Sequence, residues 1–133
     1  MKKKKIRALE IKPMEHPTVC YIEPTMKAFR QAVGADVLEH GKVEAKRLSK
    51  HVYALFNKDR FLANLEPNRQ ICDDIICGTM YIVAVDEDGF LVPLSEEQMA
   101  KYALLFYDTE EFEEIDVAEA NINTLMSRLW KDE

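Results

Sequence analysis

The run Ile75-Ile76-Cys77-Gly78-Thr79-Met80-Tyr81-Ile82-Val83-Ala84-Val85 decides the fold. It is the longest near-continuous apolar stretch in the chain, and it is too short to span a bilayer. A strand that is apolar at successive positions is covered on both faces. Residues 75–85 are therefore expected to be the central strand of a sheet.

Strand signals lie on both sides of it. Downstream, Asp86-Glu87-Asp88-Gly89 is a turn whose Asp-Gly pair favours a hairpin, and Phe90-Leu91-Val92 resumes a strand. Upstream, His51 to Asn57 is strand-like, and Asn57-Lys58-Asp59-Arg60 has turn composition. Phe61-Leu62 reads as the start of another short strand. Leu65-Glu66-Pro67-Asn68-Arg69 reads as irregular, because proline disfavours helix at the residue before it. Asp36 to Glu39 and Lys42 to Leu48 flank Gly41 and suggest a third strand and an irregular piece. At the start, Ile6–Lys12 and Thr18–Glu23 form a hairpin across the two-proline turn Pro13-Met14-Glu15-His16-Pro17.

Three helices complete the pattern. The first has Thr25 as its cap, Met26, Phe29 and Val33 on one face, and Gly34 as its stop. Ser95-Glu96-Glu97-Gln98 is a capping box, opening a helix to Phe106 with Met99, Tyr102, Ala103 and Phe106 on one face. A last helix is capped by Asp116, with Glu119 reciprocal and Ala118, Ile122, Leu125, Met126 and Leu129 as its apolar stripe. Trp130 lies beside that stripe. The expected architecture is α+β: a mostly antiparallel sheet of about five or six strands, one short helix after the first hairpin, and two C-terminal helices.

The 133 residues fit one domain, with 47% hydrophobic and 32% charged residues. Such a chain has enough apolar content for a core and is unlike a disordered one. The basic start is followed by Glu10 and Lys12 rather than an apolar stretch, so no export signal is read and the cytoplasm is the expected compartment. Cys20, Cys72 and Cys77 are an odd set with no zinc spacing, so free thiols and no metal are expected. No cofactor is expected either: the four glycines form neither a phosphate loop nor a dinucleotide fingerprint.

Several short pieces occur in a particular order. They are Val33-Gly34-Ala35-Asp36, Asn57-Lys58-Asp59, Leu65-Glu66-Pro67-Asn68-Arg69, Asp74-Ile75-Ile76-Cys77-Gly78-Thr79 leading into Ile82-Val83, and Leu94-Ser95 with Gln98. Over residues 6–107 this set resembles the DUF3846 family, found mainly in phages, plasmids and conjugative elements of bacteria. Ala35 stands where that family usually has a second glycine, and residues 108–133 lie outside the pattern. The resemblance implies a mobile-element setting and an accessory role; it implies no reaction and transfers no catalytic residue.

Charge is segregated. Residues 1–60 carry 14 Lys/Arg and 7 Asp/Glu, and residues 61–133 carry 4 and 17, within a net charge of −6. Asp108, Glu110, Glu111, Glu113, Glu114, Asp116 and Glu119 are seven acids in twelve residues. They suggest a surface that mimics nucleic-acid phosphates and docks on a basic groove of a host protein, with Glu110, Glu111, Glu113 and Glu114 as binding candidates. The plain alternative is a solvated linker whose acids favour the N-terminus of the last helix.

Asn68-Arg69 is a second candidate, an amide beside a planar fork of donors suited to phosphate or carboxylate. Its alternative is a turn with Arg69 paired to a surface acid. Asn57, in the Asn57-Lys58-Asp59 turn, joins the binding candidates. Asp73-Asp74 is read as a solvated strand entry, since neighbours on a strand point to opposite faces.

Three functional readings follow. The first is a non-enzymatic accessory protein that binds a host protein. The second is a nucleic-acid-binding regulator using Lys2–Lys5, Arg7, Lys42, Lys46, Arg47 and Lys50. The third is a small enzyme with Asn68, Arg69, a histidine and a cysteine or carboxylate in one pocket. No membrane is expected as a partner, and the last helix offers a route to a homodimer.

Overall fold

A computed structural model describes residues 4–37, 40–61 and 63–131, without the side chains of Trp130 and Lys131. Lys2, Lys3, Glu39, Leu62 and the side chain of Trp130, named above, lie outside the described residues. The chain is α+β. Its strands are β1 (Ile6–Ile11), β2 (Thr18–Ile22), β3 (Val43–Ser49), β4 (Val52–Asn57), β5 (Pro67–Ile71), β6 (Asp74–Cys77), β7 (Met80–Val85) and β8 (Leu91–Val92). Its helices are α1 (Met26–Ala32), α2 (Glu96–Leu105) and α3 (Glu114–Lys131), with a 3-10 turn at Ala35–Val37.

The main sheet is antiparallel, in the order β2-β1-β7-β4-β3, with β8 added to β7. Strand β7 is central, and its side chains alternate between two cores. Met80, Ile82 and Ala84 face Leu9, Ile11, Val52, Ala54, Phe56 and Leu94, under Tyr102 of α2 and its C-terminal cap residue Phe106. Tyr81 and Val83 face Ala8, Leu55, and Phe29 and Val33 of the α1 region. Both helix caps form as their sequences require. Thr25 Oγ1 accepts from Ala28 N at 3.1 Å, and Ser95 and Gln98 exchange bonds of 3.1 and 2.9 Å.

The run 75–85 is not one strand, which corrects the central expectation. Gly78 breaks it at φ +79, a left-handed backbone that glycine adopts at no steric cost. Only residues 80–85 join the main sheet. Residues 74–77 become β6 and pair with β5 in a separate two-stranded sheet. The segment read as irregular is thus partly a strand. Pro67 is tolerated there because it is the strand's first residue. Phe61 lies in a turn, not a strand.

A Cβ built on Gly78 would lie 2.7 Å from Leu65 Cδ1. Gly78→Ala is expected to cost about 2 kcal/mol, from the left-handed backbone and the displaced Leu65. A companion Leu65→Ala, Gly78→Ala double variant should recover the clash and keep the backbone cost. Urea unfolding of the single and double variants measures both parts.

Helix α3 starts two residues before the expected cap. The Glu113 carbonyl accepts from Asp116 N and Val117 N, so Asp116 lies inside the first turn. The helix packs on β6 through Val117 and Ala120, which join Ile75 and Cys77 in a third small core with Phe61, Leu65 and Phe112. The apolar stripe of α3 does not face this core: Ala118, Ile122, Leu125, Met126 and Leu129 are exposed. No described helix is long and apolar enough to cross a membrane.

Candidate functional site

The β5–β6 hairpin lies between the main sheet and α3, and it carries Asn68 and Arg69. Both are fully buried. Asn68 Nδ2 donates to the carbonyls of Ile11 and Gly78, each at 2.8 Å. Its Oδ1 accepts from Arg69 Nη1 at 2.8 Å. Arg69 also donates to Asn68 O, to Phe106 O from Nε and Nη2 (3.2 and 2.9 Å), and to Glu15 O at 2.7 Å.

All five guanidinium N–H groups therefore have acceptors inside the protein. Burial lowers the Arg69 pKa, against the opposing pull of Glu110 and Asp108. Neither side chain presents a donor to an outside anion. Asn57 is likewise buried, and its Oδ1 accepts from Asp59 N at 2.9 Å, closing the turn after β4. These three sequence candidates tie backbone segments together.

Asn68 and Arg69 line neither of the two concavities that flank α3 on the hairpin side, so no pocket for the small-enzyme reading forms around them there. His16 is engaged elsewhere, donating from Nδ1 to Tyr107 O at 2.6 Å and stacking on the Tyr107 ring. Cys77 and Cys20 are not activated thiols. Burial pushes Cys77 up to about 11, with Arg60 pulling it down and Asp74 up. Burial and then Glu10 push Cys20 up to about 11. Among the described residues no group of three or more His, Cys, Asp or Glu is placed to hold a metal ion.

The larger concavity, about 610 Å³, lies between β3, the β5–β6 turn and α3. Arg60 lies at its inner wall and is 1% exposed. It donates to Glu44 Oε1 at 3.0 Å, to Asp74 Oδ1 at 2.7 Å and to Ile75 O at 3.1 Å. Its guanidinium sits 5.0 Å from the Phe56 ring centre and 4.8 Å from that of Phe61. Arg128 of α3 closes the far side, donating to Lys58 O at 2.9 Å. Sequence reasoning passed over Arg60 because it stands at a polar turn. Nothing local signals that two phenylalanines and the next hairpin will cover it.

Lys46 lines this groove, while Arg47 donates to the Ser49 and Lys50 carbonyls. Lys46 and Arg47 are neighbours on β3, so they point to opposite faces of the strand and do not present one basic surface. Charged side chains on β3, an edge strand, also discourage pairing with another sheet.

The second concavity, about 330 Å³, lies on the acidic side of α3. Asp73, Glu110, Glu111, Asp116 and Glu119 line it with Phe112, and among the described residues no lysine or arginine does. Glu110 is held in place: its Oε2 accepts from Gln70 N at 3.1 Å, which continues the β5 edge. Glu113 and Glu114 are exposed at the start of α3 and do not line this cleft. Asp73 is the acid that sequence reasoning left out. The hairpin turn delivers it from 37 residues upstream of Glu110.

Comparison with curated proteins and with solved structures gives no match. Residues 6–107 match the family model described as "Domain of unknown function (DUF3846)", and the chain belongs to that family.

Proposed function

We propose that this chain is a non-enzymatic accessory protein of a mobile genetic element that acts by docking on a host protein through its acidic surface. One observation carries the reading: Asp73, Glu110, Glu111, Asp116 and Glu119 line a single concave surface, and among the described residues no basic one joins its walls. A cleft of one sign concentrates its field and attracts a partner of the opposite sign. Carboxylates spaced along such a surface resemble the phosphates of a nucleic acid. The partner class is therefore a host protein with a basic, nucleic-acid-binding groove. The mobile-element setting rests on the family resemblance.

The test uses the immobilised chain and host lysate. Proteins retained by the wild type should elute with duplex DNA and with rising salt, because both compete for the same charges. The variant Asp73→Asn, Glu111→Gln, Asp116→Asn, Glu119→Gln should lose them. Those four acids are exposed, so their loss leaves the core intact. A second variant, Glu113→Gln and Glu114→Gln, neutralises acids outside the cleft and should retain most binding. The reading is lost if wild type and cleft variant retain the same proteins, or if neither retains any.

A further inference from the structure

Helix α3 meets its own domain through Val117 and Ala120. On a helix of 3.6 residues per turn, Ile115, Ala118, Ile122, Leu125 and Leu129 lie on the side away from that contact. Their spacing alternates three and four residues, which is the a/d seam of a coiled coil. The large members are open: Ile115 is 67% exposed, Ile122 57%, Leu125 46% and Leu129 65%, with Met126 beside them at 46%. Single exposed apolar residues are ordinary, but an unbroken heptad seam is not.

We propose that a second copy of this chain covers the seam, with the two α3 helices antiparallel about a two-fold axis at Ile122. Charge favours this occupant and this direction. The first turns of α3 are acidic, with Glu114, Asp116 and Glu119, while Arg128 lies near its end. In the antiparallel pair the acidic first turns of each copy lie beside the other copy's last turns, where Arg128 adds a positive charge while its side chain stays on the Lys58 carbonyl of its own chain. A parallel pair would instead set Glu114 against Glu119 of the other copy, acid on acid. The antiparallel alignment also opposes the helix dipoles.

Packing agrees with the same axis. Ile115 meets Leu129, Ile122 meets its own counterpart, and the small Ala118 faces the Leu125–Met126 shoulder. A self-complementary patch of this kind is what a two-fold dimer requires. Eighteen helical residues span about 27 Å, so one helix from each copy makes a small interface and the dimer should dissociate on dilution.

Sedimentation equilibrium of the full chain, from low micromolar to near-millimolar concentration, is the first experiment. The mass should rise from 15.4 kDa toward twice that value. Ile122→Lys should hold the chain at 15.4 kDa throughout. Ile122 is exposed in the single chain, so circular dichroism and the unfolding temperature should match the wild type and separate lost pairing from lost folding. Direction is read by disulfide formation in a Cys72→Ser background. A mixture of Ile115→Cys and Leu129→Cys chains should cross-link, and Ile115→Cys alone should not.

A wild type that stays monomeric throughout overturns the proposal and leaves the seam to a helix of a different protein. Doubling that survives Ile122→Lys, or efficient self-linking of Ile115→Cys, overturns it as well.

Discussion

Replacing Arg69 by leucine is expected to remove about 4 kcal/mol of stability, lowering the unfolding temperature by roughly 10–20 °C. The size follows from what is left behind. The carbonyl of Phe106 and both oxygens of Asn68 are buried acceptors of this one guanidinium, with the less buried Glu15 carbonyl as a fourth, and each buried acceptor left unpaired costs about 1–3 kcal/mol. An apolar side chain recovers part of the cost of burying a cation, which is why the estimate lies below the sum over these orphaned acceptors.

Phe106 adds a second reason. It is the C-terminal cap residue of α2, where carbonyls lack partners within the helix and a cation is favoured. Arg69→Lys should fail to restore more than a small part, because one ammonium cannot span acceptors that the planar fork reaches together. Urea unfolding followed by circular dichroism reads both variants. A loss below about 1 kcal/mol for Arg69→Leu, the worth of a single ordinary hydrogen bond, would refute the assignment.

Arg60→Met is expected to cost about 3 kcal/mol. Its partners respond unequally. The Glu44 side chain is 38% exposed and can turn to water, whereas that of Asp74, at the start of β6, is 23% exposed. Removing one member of a buried ion pair is costly because the other is left uncompensated, and the partial exposure of Asp74 places the effect at the lower end of that range. Methionine keeps most of the contact with Phe56 and Phe61, so the loss reports mainly on charge. The double variant Arg60→Met, Asp74→Asn should therefore cost less than the sum of the two single ones, by about 1 kcal/mol or more. Additive costs would mean that the 2.7 Å contact contributes little.

Much of the architecture is legible from neighbours along the chain. The hairpin of β1 and β2, the Thr25 cap and the Ser95–Gln98 box are decided within five or six residues, and they form as read. The family was legible too, because the order of its motifs survives in one sequence. Gly78 was harder. Its flanks are apolar on both sides, and periodicity alone does not separate one long strand from two short ones meeting at a left-handed glycine.

The candidate sites divide in the same way. The acidic segment was visible because its seven acids are neighbours. Its conversion into a cleft was not, because Asp73 arrives on a hairpin whose existence depends on the break at Gly78. The apolar stripe of α3 was also visible. Which way it faces was decided by Ala120 and Val117, whose small and medium side chains let the helix lie close on β6.

What the sequence determined by itself is therefore local: the first hairpin, the caps at Thr25 and Ser95, the segregation of charge, and membership of the family. What only the tertiary structure decided is the fate of the polar residues. Asn68 and Arg69 look like an anion site in sequence. They become a buried tie because their acceptors come from Ile11, Glu15 and Phe106, 57, 54 and 37 residues away. The reason is physical. Capping and strand periodicity are satisfied by adjacent residues, whereas a buried guanidinium is stable only where distant carbonyls converge, and that convergence exists only once the chain has folded.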